Sequence, residues 1–265
     1  MSSNLLKRVV VDLGGKTLTL ETGLMAKQAN GAVSARIGDT IVFSAITATK
    51  KPREGVDFFP LQVEYREKFY AAGRFPGGYF KRESKPSERE ILTARVTDRP
   101  LRPFFPAGYR NDVQINNAML SADGQHEPDI LSVIASSAAL TISDIPFFGP
   151  IAAVRVGRIN GTFIVNPTHD EMEQSDIKLT YAGNRDYPIM IEGNANEITD
   201  ADMVAAMKFG HSFMGAIIDA QLELRRLMGL PAKVVTETLP DSAQLAAARE
   251  IAGAAMTAAL AIPAH

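Results

Sequence analysis

The chain contains no cysteine and no tryptophan among its 265 residues, and its charges almost cancel, with 28 basic and 30 acidic side chains. Without cysteine there can be no disulfide framework, no thiolate metal site and no cysteine nucleophile. This absence fits a reducing compartment, so we expect a cytoplasmic protein. Wholesale disorder is not expected, because 46% of the residues are hydrophobic, an ordinary fraction for a globular chain.

The sequence also lacks any apolar run long enough to span a membrane, which takes about 20 residues. The most apolar stretch runs from Ile130 to Ile142 and is interrupted by serine and threonine. It predicts a buried helix instead. The first residues lack the apolar core of a signal peptide, so we expect no export and no membrane partner.

Positive charge is concentrated in one part of the chain, from Arg66 to Arg110, which we call the basic segment. It contains eleven basic and five acidic residues, whereas the remainder has 17 basic and 25 acidic ones. Local positive potential attracts phosphates whatever the total charge, so the basic segment predicts a site for a polyanion. The alternative is a basic face that is merely solvated.

Hydrophobic periodicity and turn dipeptides predict an α+β fold, with a mixed sheet packed by helices. Helices are predicted at 88–98, where Pro100 stops the helix, at 128–143, and continuously from the Thr199 cap to Gly229. Residues 1–230 are predicted to form the core domain, and 231–265 a linker and the beginning of an all-helical region that continues beyond this sequence. Strands are predicted at 8–13, 17–21, 32–36, 40–47, 61–65, 112–120, 151–158, 162–166, 177–181 and 189–192.

The segment 71–87 is rich in glycine and proline, which deny it regular structure and leave aromatic and basic side chains exposed on a loop. Such a loop is the part of the chain that we expect to contact a partner. Ser87 and Glu90 have the spacing of a capping box, so a helix is predicted to begin at Glu88.

Four segments in order carry a family resemblance: GRFPGGYFKRE at 73–83, PSEREIL at 86–92, TARVTDRPLRPFFP at 93–106 and GPIAAVRVG at 149–157. Together they resemble the first ribonuclease-PH-type core domain of bacterial polyribonucleotide nucleotidyltransferases (polynucleotide phosphorylases). Members of that family carry two such halves, and the active site belongs mainly to the second. This chain resembles only the first.

The resemblance implies a processive, phosphate-dependent exoribonuclease that shortens single-stranded RNA from its 3′ end and releases nucleoside diphosphates. It further implies Mg²⁺ at the active site, phosphate as co-substrate, a homotrimer ring, and a role in mRNA degradation, in which proteins of an RNA-degradation complex could be partners. For this half of the enzyme it implies RNA binding and ring structure.

Tyr79, Phe80, Lys81 and Arg82 match the position where the family has two phenylalanines and two arginines that line the central channel and bind RNA. An aromatic face stacks on any base and a neighbouring cation holds the phosphate, so affinity needs no base sequence. Tyrosine and lysine here keep stacking and charge, although lysine lacks the planar fork of arginine. The alternative is that these aromatic rings pack back on the core.

Arg95, Arg99 and Arg102 match arginines that face the RNA path in the family's first half. A spacing of four places Arg95 and Arg99 on one helical face, while Arg102 follows Pro100 in an extended segment. The alternative is that some of them pair with Asp98 or Glu90 inside the domain.

Two features bear on catalysis. The turn 123–129 has three acidic residues where catalytic members of the superfamily have small or hydroxyl-rich ones, which argues against orthophosphate binding there. Asp170 and Asp176 resemble in spacing a metal-binding carboxylate pair, which Mg²⁺ would accept. The alternative is a solvated acidic loop. We expect a non-catalytic half; the other hypotheses are a self-sufficient phosphorolytic exoribonuclease that uses these two aspartates, and a structural ring subunit without RNA contact.

Overall fold

A computed structural model describes residues 5–77, 79, 81–83, 85–235 and 242–262, and shows the expected α+β fold. Two sheets flank one continuous core, with strand orders β1-β2-β3-β4-β6-β5 and β10-β9-β7-β8. The large sheet contains β1 (Lys7–Leu13), β2 (Lys16–Thr22), β3 (Gly31–Ile37), β4 (Thr40–Ala48), β5 (Leu61–Glu67) and β6 (Val113–Ser121). The small sheet contains β7 (Ala152–Ile159), β8 (Thr162–Val165), β9 (Ile177–Gly183) and β10 (Pro188–Ala195). The helices are α1 (Glu88–Leu101), α2 (Asp129–Ile142), α3 (His169–Glu173), α4 (Asp200–His211), α5 (Met214–Leu227) and α6 (Ser242–Leu260).

The strand predictions are confirmed to within a few residues at each end. β1 to β4 form successive antiparallel pairs, and β5 joins β6 in parallel at the edge of the large sheet. Gly14 and Gly38 have φ angles of 63° and 57° at the tight turns, a conformation that favours glycine.

Helix α2 is the centre of the core, as its composition predicts, and all of its residues are buried. The buried serine hydroxyls of this helix form hydrogen bonds: Ser136 donates to the Asn117 side chain at 3.0 Å, and Ser137 accepts from the backbone N–H of Ile151 at 2.9 Å. The carbonyls at its C-terminal end are bound by Lys233, whose Nζ lies 2.5 Å from the Leu140 oxygen. These bonds satisfy buried polar groups that would otherwise oppose folding.

Helix α1 differs from the prediction at its C-terminal end, because Pro100 lies inside the helix and does not stop it. The ring costs one backbone hydrogen bond, but Pro100 and Leu101 are both buried in the core. The backbone N–H of Arg102 still donates to the Asp98 carbonyl, so the helical turn is kept. Burial of this end therefore outweighs the local preference of proline.

The helix that was predicted from Thr199 to Gly229 is in fact two helices, α4 and α5. The Thr199 cap is confirmed, since its Oγ1 accepts from the backbone N–H of Asp202 at 3.1 Å. The break at Ser212 and Phe213 lets α4 pack on the small sheet, while α5 packs mainly on β1 and α2 and also contacts β2 and β7. One straight helix could not follow both surfaces.

In the region of the predicted helical tail, α6 is formed and its described side chains are mostly exposed. The boundary at residue 230 stays a prediction. Within the described residues, no helix combines the length and apolar character needed to cross a membrane.

Candidate nucleic-acid interface and the adjoining cleft

The loop between β5 and α1 has a fixed base. One carboxylate oxygen of Glu83 accepts from the backbone N–H of Phe69 at 2.6 Å, and the other lies 3.0 Å from the Lys68 ammonium. The Phe69 N–H and the Lys68 ammonium hold the pKa of Glu83 below its usual range. At neutral pH Glu83 is therefore charged and closes the loop.

The other end of the loop is fixed by the predicted capping box. The backbone N–H of Glu90 donates to the Ser87 hydroxyl at 3.2 Å, and the Glu90 carboxylate accepts from the Ser87 N–H in return. The same carboxylate accepts from the Glu67 N–H at the end of β5, at 2.9 Å. Burial opposes the charge of Glu90, but these N–H donors outweigh it and lower its pKa.

The predicted RNA-binding side chains of the loop are exposed where the structure describes them. Tyr79 is 93% exposed, and Lys81 and Arg82 form no ion pair with any described residue. Lys81 has a φ of 51°, a left-handed conformation that is uncommon outside glycine and often marks functional positions. Phe80 lies outside the described residues.

The three arginines predicted to face RNA have different surroundings, and the extended segment predicted for Arg102 is wrong: Arg102 follows the last residue of α1 in helical conformation and begins a 3-10 turn at Arg102–Phe104. Arg102 forms a two-point salt bridge with Asp98, at 2.7 and 3.0 Å, and its guanidinium donates to the carbonyls of Phe59 and Leu61. This is the alternative that the sequence left open: Arg102 holds α1 on the edge of β5, and its RNA contact stays a prediction.

Arg95 and Arg99 are both exposed on α1, but their side chains reach different elements. Arg95 lines a groove of about 400 Å³ along β5 and has no ion-pair partner in the described part of the chain. Arg99 points across to Glu192 on β10, 3.1 Å away, and both side chains are more than half exposed. Such an exposed pair is weak, so Arg99 can exchange its carboxylate for a phosphate at little cost.

A cleft of about 570 Å³ separates α1 from the small sheet, and the N-terminal end of α2 lies at its base. Asp129 occupies that end: its carboxylate accepts from the backbone N–H of Ile130 at 2.8 Å and from the Arg155 guanidinium at 2.5 and 3.2 Å. Burial disfavours the charge of Arg155, but Asp129 raises its pKa above the ordinary value. An internal carboxylate thus occupies a place where a helix end and an arginine favour an anion.

Asp123 closes the turn that leads into this cleft. One of its oxygens accepts from the Thr40 hydroxyl and from the backbone N–H groups of Gln125 and His126, at 2.8–2.9 Å. The other oxygen accepts from the Asp39 N–H and contacts the His126 ring. Burial of Asp123 disfavours its charge, but these donors outweigh it and lower its pKa well below the ordinary range.

The remaining acidic residue of the turn, Glu127, pairs with Arg89 at 2.7 Å and contacts His169 at 3.3 Å. The sequence argument that this turn repels phosphate through free negative charge therefore needs correction. Each of its carboxylates has partners, and the obstacle to an added anion is occupation by Asp129 rather than open repulsion.

The two aspartates of the alternative catalytic hypothesis lie in a different setting. Asp170 is exposed in the first turn of α3, whereas Asp176 is bound by the Arg158 guanidinium through contacts of 2.6–3.0 Å. Arg158 also reaches Asp202 at 3.1 Å. The described residues contain no cluster of three or more His, Asp or Glu side chains placed to hold a metal ion. Arg158 thus holds one of the two carboxylates, and a metal role for the pair stays a prediction.

Sequence reasoning missed two groups that shape this surface. Glu83 gives no local signal, because its partners lie 14 and 15 residues earlier in the chain. Arg155 could have been found, since it is one of only two charged residues, with Arg158, in the apolar strand β7, and a charge in such a strand calls for a buried partner. A second capping box, formed by Thr168 and Glu171, begins α3 and was also readable from its spacing.

Comparison with protein-family models gives two matches. Residues 14–146 match the "3' exoribonuclease family, domain 1" and residues 149–212 match the "3' exoribonuclease family, domain 2". The first match covers β2 to β6 of the large sheet, α1 and α2, and the second covers the small sheet, α3 and α4.

Curated relatives of similar sequence are polyribonucleotide nucleotidyltransferases. A polyribonucleotide nucleotidyltransferase of Geobacter sulfurreducens is 49% identical over 255 residues, which are 96% of this chain and 37% of that protein. One of Thermomicrobium roseum is 50% identical over 221 residues, which are 83% of this chain and 28% of that protein. The chain thus spans only 37% and 28% of the length of these two relatives.

Solved structures show the same fold. Rice (Oryza sativa) Rrp46 aligns with a TM-score of 0.60 and 16% identity, covering 84% of this chain and 98% of its own. An Archaeoglobus fulgidus exosome with RNA bound to the active site aligns with a TM-score of 0.57 and 16% identity, covering 84% of this chain and 87% of that one.

Proposed function

The chain belongs to the 3′ exoribonuclease family, and we propose that it forms the first core half of a processive, phosphate-dependent 3′-to-5′ exoribonuclease of the polyribonucleotide nucleotidyltransferase type. This half binds single-stranded RNA and contributes to a ring, while the chemistry takes place in the rest of the enzyme. The complete enzyme releases nucleoside diphosphates, with phosphate as co-substrate and Mg²⁺ bound outside the described residues. A homotrimer, a cytoplasmic location, and a role in mRNA degradation with other proteins of that process belong to the same proposal.

The observation that carries the proposal is the loop at the N-terminal side of α1. It presents an exposed aromatic ring and two cations that have no acidic partner among the described residues, on a base closed by Glu83. Aromatic faces and unpaired cations bind single strands without base preference, which is what a processive exonuclease requires.

The cleft supports placing the chemistry elsewhere. Phosphorolysis needs a bound phosphate and a cation that stabilises the leaving oxygen. In this half the helix end that would suit a phosphate is occupied by Asp129, and Asp176 is bound by Arg158. For this half to be catalytic by itself, Asp129 would have to leave the helix end to phosphate, and Asp176 would have to leave Arg158 to bind a cation.

An activity assay separates these hypotheses. We expect the chain to leave 5′-labelled oligoadenylate at full length when Mg²⁺ and phosphate are present, with no nucleoside diphosphate released. Phosphate-dependent shortening would show that this half is catalytic. In that case Asp170→Asn is the sharper variant, because Asp176→Asn also removes one of the two carboxylates that bind Arg158.

The double variant Lys81→Ala/Arg82→Ala is expected to weaken oligoadenylate binding by about tenfold or more, because it removes two phosphate contacts. The slope of log affinity against log salt should fall by about 1.4, since each contact on a single strand contributes about 0.7. Fluorescence anisotropy at several salt concentrations measures both quantities.

The matched control is Lys50→Ala/Lys51→Ala, which removes the same charge from two exposed lysines outside the basic segment. It should leave the slope close to that of the unchanged chain. Equal losses in the two double variants would mean that general positive charge, and not the loop, attracts RNA. No loss in either would favour the structural ring subunit.

A further inference from the structure

Three aromatic side chains are exposed in the ten residues before Tyr79, where the predicted RNA-binding loop segment begins. Phe69 and Tyr70 are about half exposed, and Phe75 is 89% exposed. Single exposed apolar residues are common and need no explanation, but three close together in the chain, on a loop that also carries cations, point to a binding surface.

The backbone before Phe75 is held firmly. Phe69–Ala72 form a 3-10 turn that ends at Gly73 in the left-handed conformation, and the N–H of Arg74 returns to the Phe69 carbonyl at 3.0 Å. The turn is joined to the end of β6, because the Ala122 N–H donates to the Ala71 carbonyl at 3.0 Å. Phe75 therefore projects from a fixed base, and little conformational entropy is lost when a ligand contacts its ring.

The charge around Phe75 is positive and uncompensated. Arg74, Lys81 and Arg82 have no acidic partner in the described residues. The nearest carboxylates along the chain have other partners: Glu67 binds Tyr65 and Arg89, and Glu83 binds Phe69 and Lys68. Uncompensated cations beside an exposed ring suit an anionic strand with flat bases better than an apolar protein surface.

We infer that Phe75 and Arg74 form a second stacking step for single-stranded RNA, adjacent to Tyr79, Lys81 and Arg82. The inference rests on the proposed function and extends it. Tyr79 is four positions after Phe75, so their Cα atoms lie at most about 14 Å apart, and one strand can contact both rings. Two stacking steps hold the strand at more than one base, which favours retention between rounds of shortening.

The test replaces Phe75 in the full chain and measures oligoadenylate binding by anisotropy at several salt concentrations. Phe75→Ala is expected to weaken binding by about 5-fold to 100-fold, the range for loss of one base–aromatic stack. The salt slope should stay unchanged, because no charge is removed. Phe75→Leu should bind as weakly as Phe75→Ala, whereas Phe75→Trp should bind at least as tightly as the unchanged chain, since stacking requires an aromatic face.

Tyr187→Ala is the matched control, because it removes a half-exposed ring from the β9–β10 turn of the small sheet. It should leave affinity unchanged. Phe75 is so exposed that its variants should fold normally, and thermal unfolding checks this.

Two outcomes would overturn the inference and leave the proposed function standing. In the first, Phe75→Ala binds oligoadenylate as tightly as the unchanged chain while Lys81→Ala/Arg82→Ala binds it weakly. In the second, Phe75→Leu binds as tightly as the unchanged chain, which would mean that the ring contributes apolar contact and not stacking. If Phe75→Ala and the double cation variant both bind like the unchanged chain, the inference and the proposed function fail together.

Discussion

Replacing Gly31 with alanine is expected to lower the free energy of unfolding by about 3 kcal/mol or more, the upper part of the range for overpacking. A Cβ at this position would lie 2.1 Å from the Ala139 carbonyl oxygen and 3.2 Å from the Ser143 Cβ. The obstacle is backbone in the central helix α2, whose residues are all buried, so no flexible side chain can move aside.

Urea unfolding followed by circular dichroism measures this loss as a lower midpoint. Gly77→Ala is the control, since a Cβ there meets nothing within 4 Å. It should change the midpoint little. Equal midpoints for Gly31→Ala and the unchanged chain would show that β3 and α2 are packed less closely than the structure has them.

The same contact shows why the fold could be predicted only in part. Alternation and turn glycines identified each strand of both sheets, and the apolar run identified α2, because these signals are local. That α2 lies against β3 closely enough to require glycine at position 31 depends on residues more than 100 positions apart. No local pattern contains that information.

The two helix errors have the same origin. Pro100 and the Ser212–Phe213 break were judged by local preference, and in both places packing decided otherwise. Pro100 is tolerated because it is buried near the end of α1, and the helix from Thr199 is broken because its two parts pack on different surfaces. Tertiary contacts outweigh propensities of this size.

For the candidate site, the sequence predicted which segment carries the positive charge but not which of its cations form ion pairs. Several basic residues of the basic segment already have acidic partners. Lys68, Arg89, Arg99 and Arg102 have acidic partners, whereas Arg74, Lys81, Arg82 and Arg95 have none among the described residues. Charge counting cannot separate these sets, because the partners come from other elements. The unpaired set includes the loop on which the proposed function depends.

The pair of Asp129 and Arg155 gives the prediction with the other large effect. Asp129→Ala is expected to cost about 3 kcal/mol or more of unfolding free energy, because it leaves a mostly buried guanidinium without a partner. The side chain of Asp129 is only 9% exposed and that of Arg155 only 22%. Arg155→Met should cost a similar amount, and the double variant less than the sum, since the isolated buried charge is then gone. Additive losses from urea unfolding would mean that the two groups are not coupled.

The same variant tests whether Asp129 occupies a place that an anion could otherwise take. In Asp129→Ala the Ile130 N–H and the Arg155 guanidinium lose their internal carboxylate, and both favour a negative charge. Phosphate at roughly ten times its dissociation constant should therefore raise the free energy of unfolding of Asp129→Ala by about 1.4 kcal/mol, and leave that of the unchanged chain unaffected. Asp170→Ala is the control for net charge, because it removes an exposed aspartate that has no ion pair with the described residues. Equal responses to phosphate in all three proteins would mean that Asp129 does not keep phosphate out. A response confined to Asp129→Ala would tie the lack of phosphate binding in this half to one side chain.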